Sequence, residues 1–120
     1  MEKFMPNSIM YLVDVTIKEG QKEALLRLIE KMVASAEKEP GALAYHWSIS
    51  ENNVHVIEHY ADNDATLIHL NTFTENFAKD FMACVDVNAC TVYGCPNTAV
   101  RNILDGFGSI YMGTIKGFVK

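Results

Sequence analysis

The sequence predicts an α+β domain of the ferredoxin-like kind, with two helices covering one face of a four-stranded antiparallel sheet. Three observations carry that reading. Four short segments before residue 95 are β-branched or alternate apolar with polar residues. Amphipathic helical stretches separate them. Their order is strand, helix, strand, strand, helix, strand, which is the split β-α-β unit.

The first strand runs from Ile9 to Ile17, with Ile9, Tyr11, Val13, Val15 and Ile17 on one face and Met10, Leu12, Asp14 and Thr16 on the other. Both faces begin apolar, so both are expected to be covered. Gly20 ends this region. From Gln21 to Lys38, Ala24, Leu25, Leu28, Ile29, Met32, Val33 and Ala36 form a helical stripe, with charged residues opposite. Pro40-Gly41 stops the helix, because proline cannot continue the hydrogen-bond ladder and glycine tolerates the turn.

Ala42 to Ser50 alternates, placing Leu43, Tyr45, Trp47 and Ile49 on one side and Ala44, His46 and Ser48 on the other. Glu51-Asn52-Asn53 reads as a hairpin turn. Val54 to Tyr60 returns antiparallel, with Val54, Val56, Glu58 and Tyr60 on one face and His55, Ile57 and His59 on the other. Asp62-Asn63-Asp64 starts a short helix through Leu67, Ile68 and Leu70. A second helical stretch is expected after Asn71-Thr72, with Phe73, Phe77, Phe81 and Val85 four apart on one side. Val87 to Tyr93 is the expected fourth strand, and Gly94 to Asn97 a turn. Thr98 to Leu104 reads as a short helix closed by Gly106 and Gly108, and Ile110 to Val119 as one more extended segment.

The length fits a single domain. We divide it into an N-terminal tail (1–8), a core domain (9–95) and a C-terminal extension (96–120). Phe107, Ile110, Tyr111, Met112, Ile115 and Phe118 make the extension apolar, so it is expected to pack on the domain or on a partner subunit and to close one mouth of a pocket. The helices suffice for one face of the sheet, and a second copy on the other would complete a homodimer.

A net charge of −5, with ten Lys and Arg spread along the chain, argues against nucleic acid and anionic membrane surfaces as partners. No apolar run approaches the roughly 20 residues that span a bilayer. Met1 to Asn7 shows no signal-peptide pattern. Cys84, Cys90 and Cys95 are an odd set without C-x-x-C, which fits reduced thiols and a cytoplasmic location.

Val15 followed by Gly20 and a long helix, Glu39-Pro40-Gly41 before Ala42-Leu43-Ala44-Tyr45, then Val56-Ile57-Glu58-His59-Tyr60-Ala61-Asp62 and His69-Leu70, resemble an antibiotic biosynthesis monooxygenase domain. The resemblance spans residues 9 to 93. It implies a dimeric α/β barrel with a pocket between sheet and helices in each subunit. Members of that family oxidise phenols or quinols without metal or flavin, isomerise small oxo-compounds, or degrade haem. The positions matching the haem-degrading branch hold Val13, His69 and Phe81, none of which fits it. This fold hosts unrelated chemistries, so the activity must be argued from the site.

His69 is the first candidate for chemistry, since a neutral imidazole takes a proton well near neutral pH. Its other reading is a helix-surface or capping histidine with one ordinary hydrogen bond. Glu58 lies among apolar neighbours and must be paired or carry a raised pKa. It either orients His69, holds a substrate hydroxyl, or bonds a backbone amide or a tyrosine of the fold. Trp47 and Tyr60 are expected pocket walls, each with a polar handle, and Tyr45 reads as core. Phe73 and Phe77 are candidate substrate contacts; at helical spacing they and Phe81 also serve as core.

His46, His55 and His59 share the opposite sheet face. A zinc site there competes with pairing to Asp14, and no metal is assigned. Arg101 either clamps a carboxylate or forms a salt bridge that pins the extension. Gly106-x-Gly108 is not a phosphate loop.

The expected function is cofactor-independent monooxygenation of a small phenolic or quinol compound, with no cofactor. The alternatives are isomerisation of a small oxo-compound through an enediol, or a non-catalytic ligand-binding dimer. The mark of the last is a pocket plugged by aromatic rings or the extension, with His69 bonded into the core.

Overall fold

Alternation in the first strand decides which side of the sheet the helices take. In the computed structural model, which describes residues 7–120, strand β1 (Ile9–Ile17) buries Ile9, Tyr11, Val13, Val15 and Ile17 and leaves the intervening side chains partly or fully exposed. The buried set packs against helix α1 (Lys22–Glu37), whose Leu25, Leu28, Met32 and Ala36 supply the matching apolar stripe. Strands β2 (Ala42–Ser50) and β3 (Asn53–Tyr60) form the hairpin, turning at Glu51 with φ of 55°.

Helix α2 (Asn63–Asn76) is capped by Asp62, whose carboxylate accepts the Ala65 N–H at 2.8 Å. It runs through Asn71-Thr72, where a break was expected. The packing of Leu70 and Phe73 against the sheet outweighs the weak helix propensity of that pair. The break comes at Phe77 instead, before α3 (Ala78–Cys84). The expected four-apart row of aromatics is therefore split between two helices, and Val85 begins strand β4 (Val85–Tyr93) two residues earlier than predicted.

The expected four-strand sheet gains a fifth, in the order β2-β3-β1-β4-β5. The first four are antiparallel, as the split unit requires. Strand β5 (Ile110–Met112) adds in parallel to β4. It is much shorter than the extended segment predicted to reach Val119. A bulge interrupts the β1–β4 ladder at Asn88, whose amide donates to Asp14 at 3.1 Å and Thr16 at 2.8 Å.

The C-terminal extension begins with helix α4 (Thr98–Leu104), capped by Asn97, and a 3-10 turn at Asp105–Phe107. Val100 and Leu104 are fully buried. Among the described residues Arg101 does not form the expected salt bridge. Its guanidinium sits 4.0 Å from the centre of the Tyr111 ring and fastens β5 to α4 by a cation–π contact. Tyr111 in turn donates to Asp105 at 2.5 Å. Beyond β5 the expected packing stops, for Ile115 and Phe118 are exposed. The predicted tail at 1–8 lies outside the described residues except for Asn7 and Ser8. Among the described residues, no helix is long and apolar enough to cross a membrane.

Candidate functional site

Strand register sets three polar aromatic and acidic side chains in one row. Glu58 on β3 pairs with Tyr45 on β2 and with Tyr11 on β1. The next row along holds Trp47, Val56 and Val13. These side chains share the helix-covered face and floor a cavity of about 30 Å³. That is room for one or two water molecules. From α2, His69, Leu70 and Phe73 form one wall, and Phe81 of α3 stands beside them. Leu104 and Phe107 of the extension close the remaining side.

His69 is the junction of a buried ionic chain. Its Nδ1 lies 2.9 Å from Glu39 Oε1 and its Nε2 lies 3.1 Å from Glu58 Oε1. The Tyr60 hydroxyl donates to the same Glu58 oxygen at 2.6 Å. The imidazole lies between Tyr60, tilted against it at 4.8 Å between ring centres, and Tyr45, edge-on at 5.1 Å. The side chains of His69, Glu39 and Glu58 are 8%, 10% and 7% exposed.

Burial disfavours a charge on His69, but the hydrogen bonds to Glu39 and Glu58 outweigh it and push its pKa up to about 9. At neutral pH this is an imidazolium donating from both nitrogens. The sequence expectation of a neutral base therefore differs from the charge state in the fold. The carboxylate of Glu58, which faces the cavity, is the group with an acceptor to offer. Burial and the neighbouring Glu58 raise the pKa values of Tyr60, Tyr45 and Tyr11, so all three hydroxyls stay protonated donors.

The structure thus brings together His69, Glu58, Trp47 and Phe73 around one cavity. Tyr60 stands behind Glu58 as its hydrogen-bond donor and is fully buried. Phe77 marks the α2–α3 break and packs against the core without lining the cavity. Three residues escaped the sequence reading as site residues. Tyr11 was legible only as part of a buried face. Phe107 depends on how the extension folds back. Glu39 reaches His69 because Gly41 lets α2 come close: a Cβ on Gly41 would collide with the Ala65 side chain. The Ala61 N–H also bonds the Gly41 carbonyl at 2.9 Å.

On the opposite face His55 pairs with Asp14 at 3.3 Å, and His46 contacts the Ser48 hydroxyl at 3.3 Å. His59 is buried, its Nε2 has no hydrogen-bond partner among the described residues, and burial lowers its pKa. Among the described residues no group of three or more His, Cys, Asp or Glu side chains is arranged to hold a metal ion.

Residues 8–83, more than half of the chain, match the family model for antibiotic biosynthesis monooxygenase. The chain belongs to the antibiotic biosynthesis monooxygenase family. Solved structures share this family's fold. MupZ from Pseudomonas fluorescens superposes with a TM-score of 0.84 at 23% identity, over 100% of this chain and 94% of MupZ. A conserved protein from Methanosarcina mazei gives 0.66 at 17%, over 75% and 94%. SnoaB from Streptomyces nogalater, a cofactor-independent oxygenase, gives 0.63 at 15%, over 77% and 96%. At these identities the likeness is one of fold. The MupZ match extends over the C-terminal extension as well as the family domain. The chain matches no curated protein sequence at a significant level.

Proposed function

We propose that this chain is a cofactor-independent monooxygenase acting on a small phenolic or quinol compound, with Glu58 receiving the substrate's hydroxyl proton. The observation that carries this reading is a buried carboxylate facing an aromatic-walled cavity and backed by an imidazolium. A phenol is a weaker acid than a carboxylic acid, so proton transfer to Glu58 needs the developing phenolate to be stabilised. The positive charge on His69, in surroundings that screen poorly, supplies that stabilisation. The phenolate then gives an electron to dioxygen, the radical pair recombines, and a C–O bond forms. Loss of water leaves a quinone, so one oxygen atom enters the product and the other departs as water. Trp47 and Phe73 support the ring-binding side of this reading, Tyr60 holds Glu58 from behind without reaching the cavity, and Phe77 buttresses the helices. Family membership, and the fold shared with a cofactor-independent oxygenase, support the reaction class.

One observation favours a second reading. A carboxylate base beside a cationic hydrogen-bond donor also suits oxygen-independent isomerisation through an enediol. Oxygen uptake separates the two. With menadiol or smaller hydroquinones, the wild-type protein is expected to exceed the protein-free rate, and Glu58→Gln to fall back to it. Product formation that continues without oxygen assigns the isomerase reading. Inert wild-type protein across both assays leaves a non-catalytic binding module, to which the small, extension-walled cavity already conforms.

We also propose that the working form is a cytoplasmic homodimer. Met10, Ile57, Tyr93 and Met112 are exposed on strands of the sheet, all four on its uncovered face by their strand register. The three cysteines are free thiols, which suits a reducing compartment.

A further inference from the structure

Two buried polar atoms on the cavity walls make no hydrogen bond among the described residues: the hydroxyl of Tyr11, which lies beside Glu58 and Tyr60, and the indole Nε1 of Trp47, which lies beside Tyr45. A buried donor left unpaired costs on the order of 1–3 kcal/mol, and such groups are rare outside functional sites. Their positions differ. Tyr11 stands directly across the ladder from Glu58, whereas Trp47 belongs to the next row, opposite Val56. Two residues of strand separate the rows, about 7 Å.

We infer that the site recognises a compound with two oxygen functions: a hydroxyl placed between Glu58 and Tyr11, and a second oxygen, carbonyl or ether, that accepts the Trp47 indole N–H. This rests on the proposed function and names the substrate class within it. Glu58 can only accept from the hydroxyl. Tyr11 can donate to the same oxygen as its proton leaves, which fixes the hydroxyl's position. Trp47 has no acceptor, so its partner must bring a lone pair. The indole ring meets Tyr45 and Phe81 edge-on, at centre separations of 5.7 and 5.8 Å, which holds the N–H in place. Apart from Tyr45 and His69 the rest of the wall is apolar, and a flat ring joining the two oxygens suits it. Such a ring needs more room than 30 Å³. Phe107 is the wall best placed to yield, since it lies between Gly106 and Gly108, the latter at φ of 69°.

Trp47 is the one tryptophan in the sequence, so its indole N–H gives a single resonance that reports directly on this contact. The test titrates the protein with 4-methoxyphenol, which carries both oxygens, and with 4-ethylphenol, the same shape with the hydroxyl alone. 4-Methoxyphenol is expected to move the indole resonance and to bind about tenfold tighter than 4-ethylphenol. In Trp47→Phe, followed by calorimetry, both phenols should still bind and the ratio should fall to about one. In Tyr11→Phe both should weaken together with the ratio kept. Equal affinities in the wild type overturn the inference. So does a ratio untouched by Trp47→Phe, or an indole resonance that no phenol moves, as when bound water alone satisfies the two donors. Turnover is scored separately. A ratio that holds without turnover removes the oxygenase reading and keeps the recognition; turnover without the ratio does the reverse.

Discussion

Gly41 and Ala65 touch so closely that no side chain fits between the start of β2 and helix α2. That approach brings His69, one turn further along α2, to the Glu39 carboxylate at 2.9 Å. Gly41→Ala must push α2 outward, and neither neighbour is a flexible side-chain end that can swing aside. The variant is expected to lose about 1–3 kcal/mol of stability. Thermal melting measures the loss. The double variant with Ala65→Gly should recover much of it, and an unaffected single variant would contradict the packing described.

Stability should depend on pH through His69. Its pKa is about 9 in the fold against 6.5 for a free imidazole. The folded form holds the proton more tightly, so the contribution is complete below 6.5 and fades as pH rises toward 9. The full effect is on the order of 3 kcal/mol. Denaturant unfolding between pH 6 and pH 10 should show the decline, and His69→Gln should flatten it. Replacing Glu39 with Gln removes one anionic partner, and the imidazole titration seen by NMR should move down toward 6.5.

Tyr60→Phe deletes the 2.6 Å bond to Glu58 and little else, since the ring is retained. A cost of about 1–3 kcal/mol is expected for leaving a buried carboxylate short of a donor. If Tyr60 also serves Glu58 in proton transfer, the pH–rate profile shifts while KM stays put. Kinetics at several pH values, set beside melting data, separate the two effects.

Phe107→Ala should enlarge the cavity and admit ligands faster. The ring is half-buried, so the expected cost is about 1–2 kcal/mol, below that of a core phenylalanine. Stopped-flow binding of 4-ethylphenol should show a higher association rate. An unchanged rate would mean that entry runs by another wall.

The sheet was legible because alternation is a local signal. Glu58 falls on the buried face of β3 for the same reason that Val54 and Val56 do, and its need for a partner follows from that burial. Glu39 was not legible, because it meets His69 across 30 positions of sequence through a contact that Gly41 permits. The charge of His69 was missed with it, since one carboxylate and two carboxylates leave an imidazole in different states. The helix break was misplaced for a related reason. Asn71 and Thr72 are weak helix formers by themselves, but their neighbours are anchored to the sheet. Phe107 belongs to the extension, where short elements and glycines carry little periodic signal.

The uncovered face of the sheet is divided along its length. At one end stand Met10, Leu12, Ile57, Tyr93 and Met112. At the other, Asp14 is tied to Asn53, Asn88 and His55, and Asn88 to Thr16. The hydrogen bonds from Asn88 and Asn53, with His55 nearby, hold the Asp14 carboxyl below its usual pKa. Only the first end gains from exclusion of water; desolvating the second would sacrifice bonds already made. A body settling on this surface would therefore overlap it off-centre, with the Asp14 corner left as a hydrated lip. Two copies arranged in that way would splay like a half-open book.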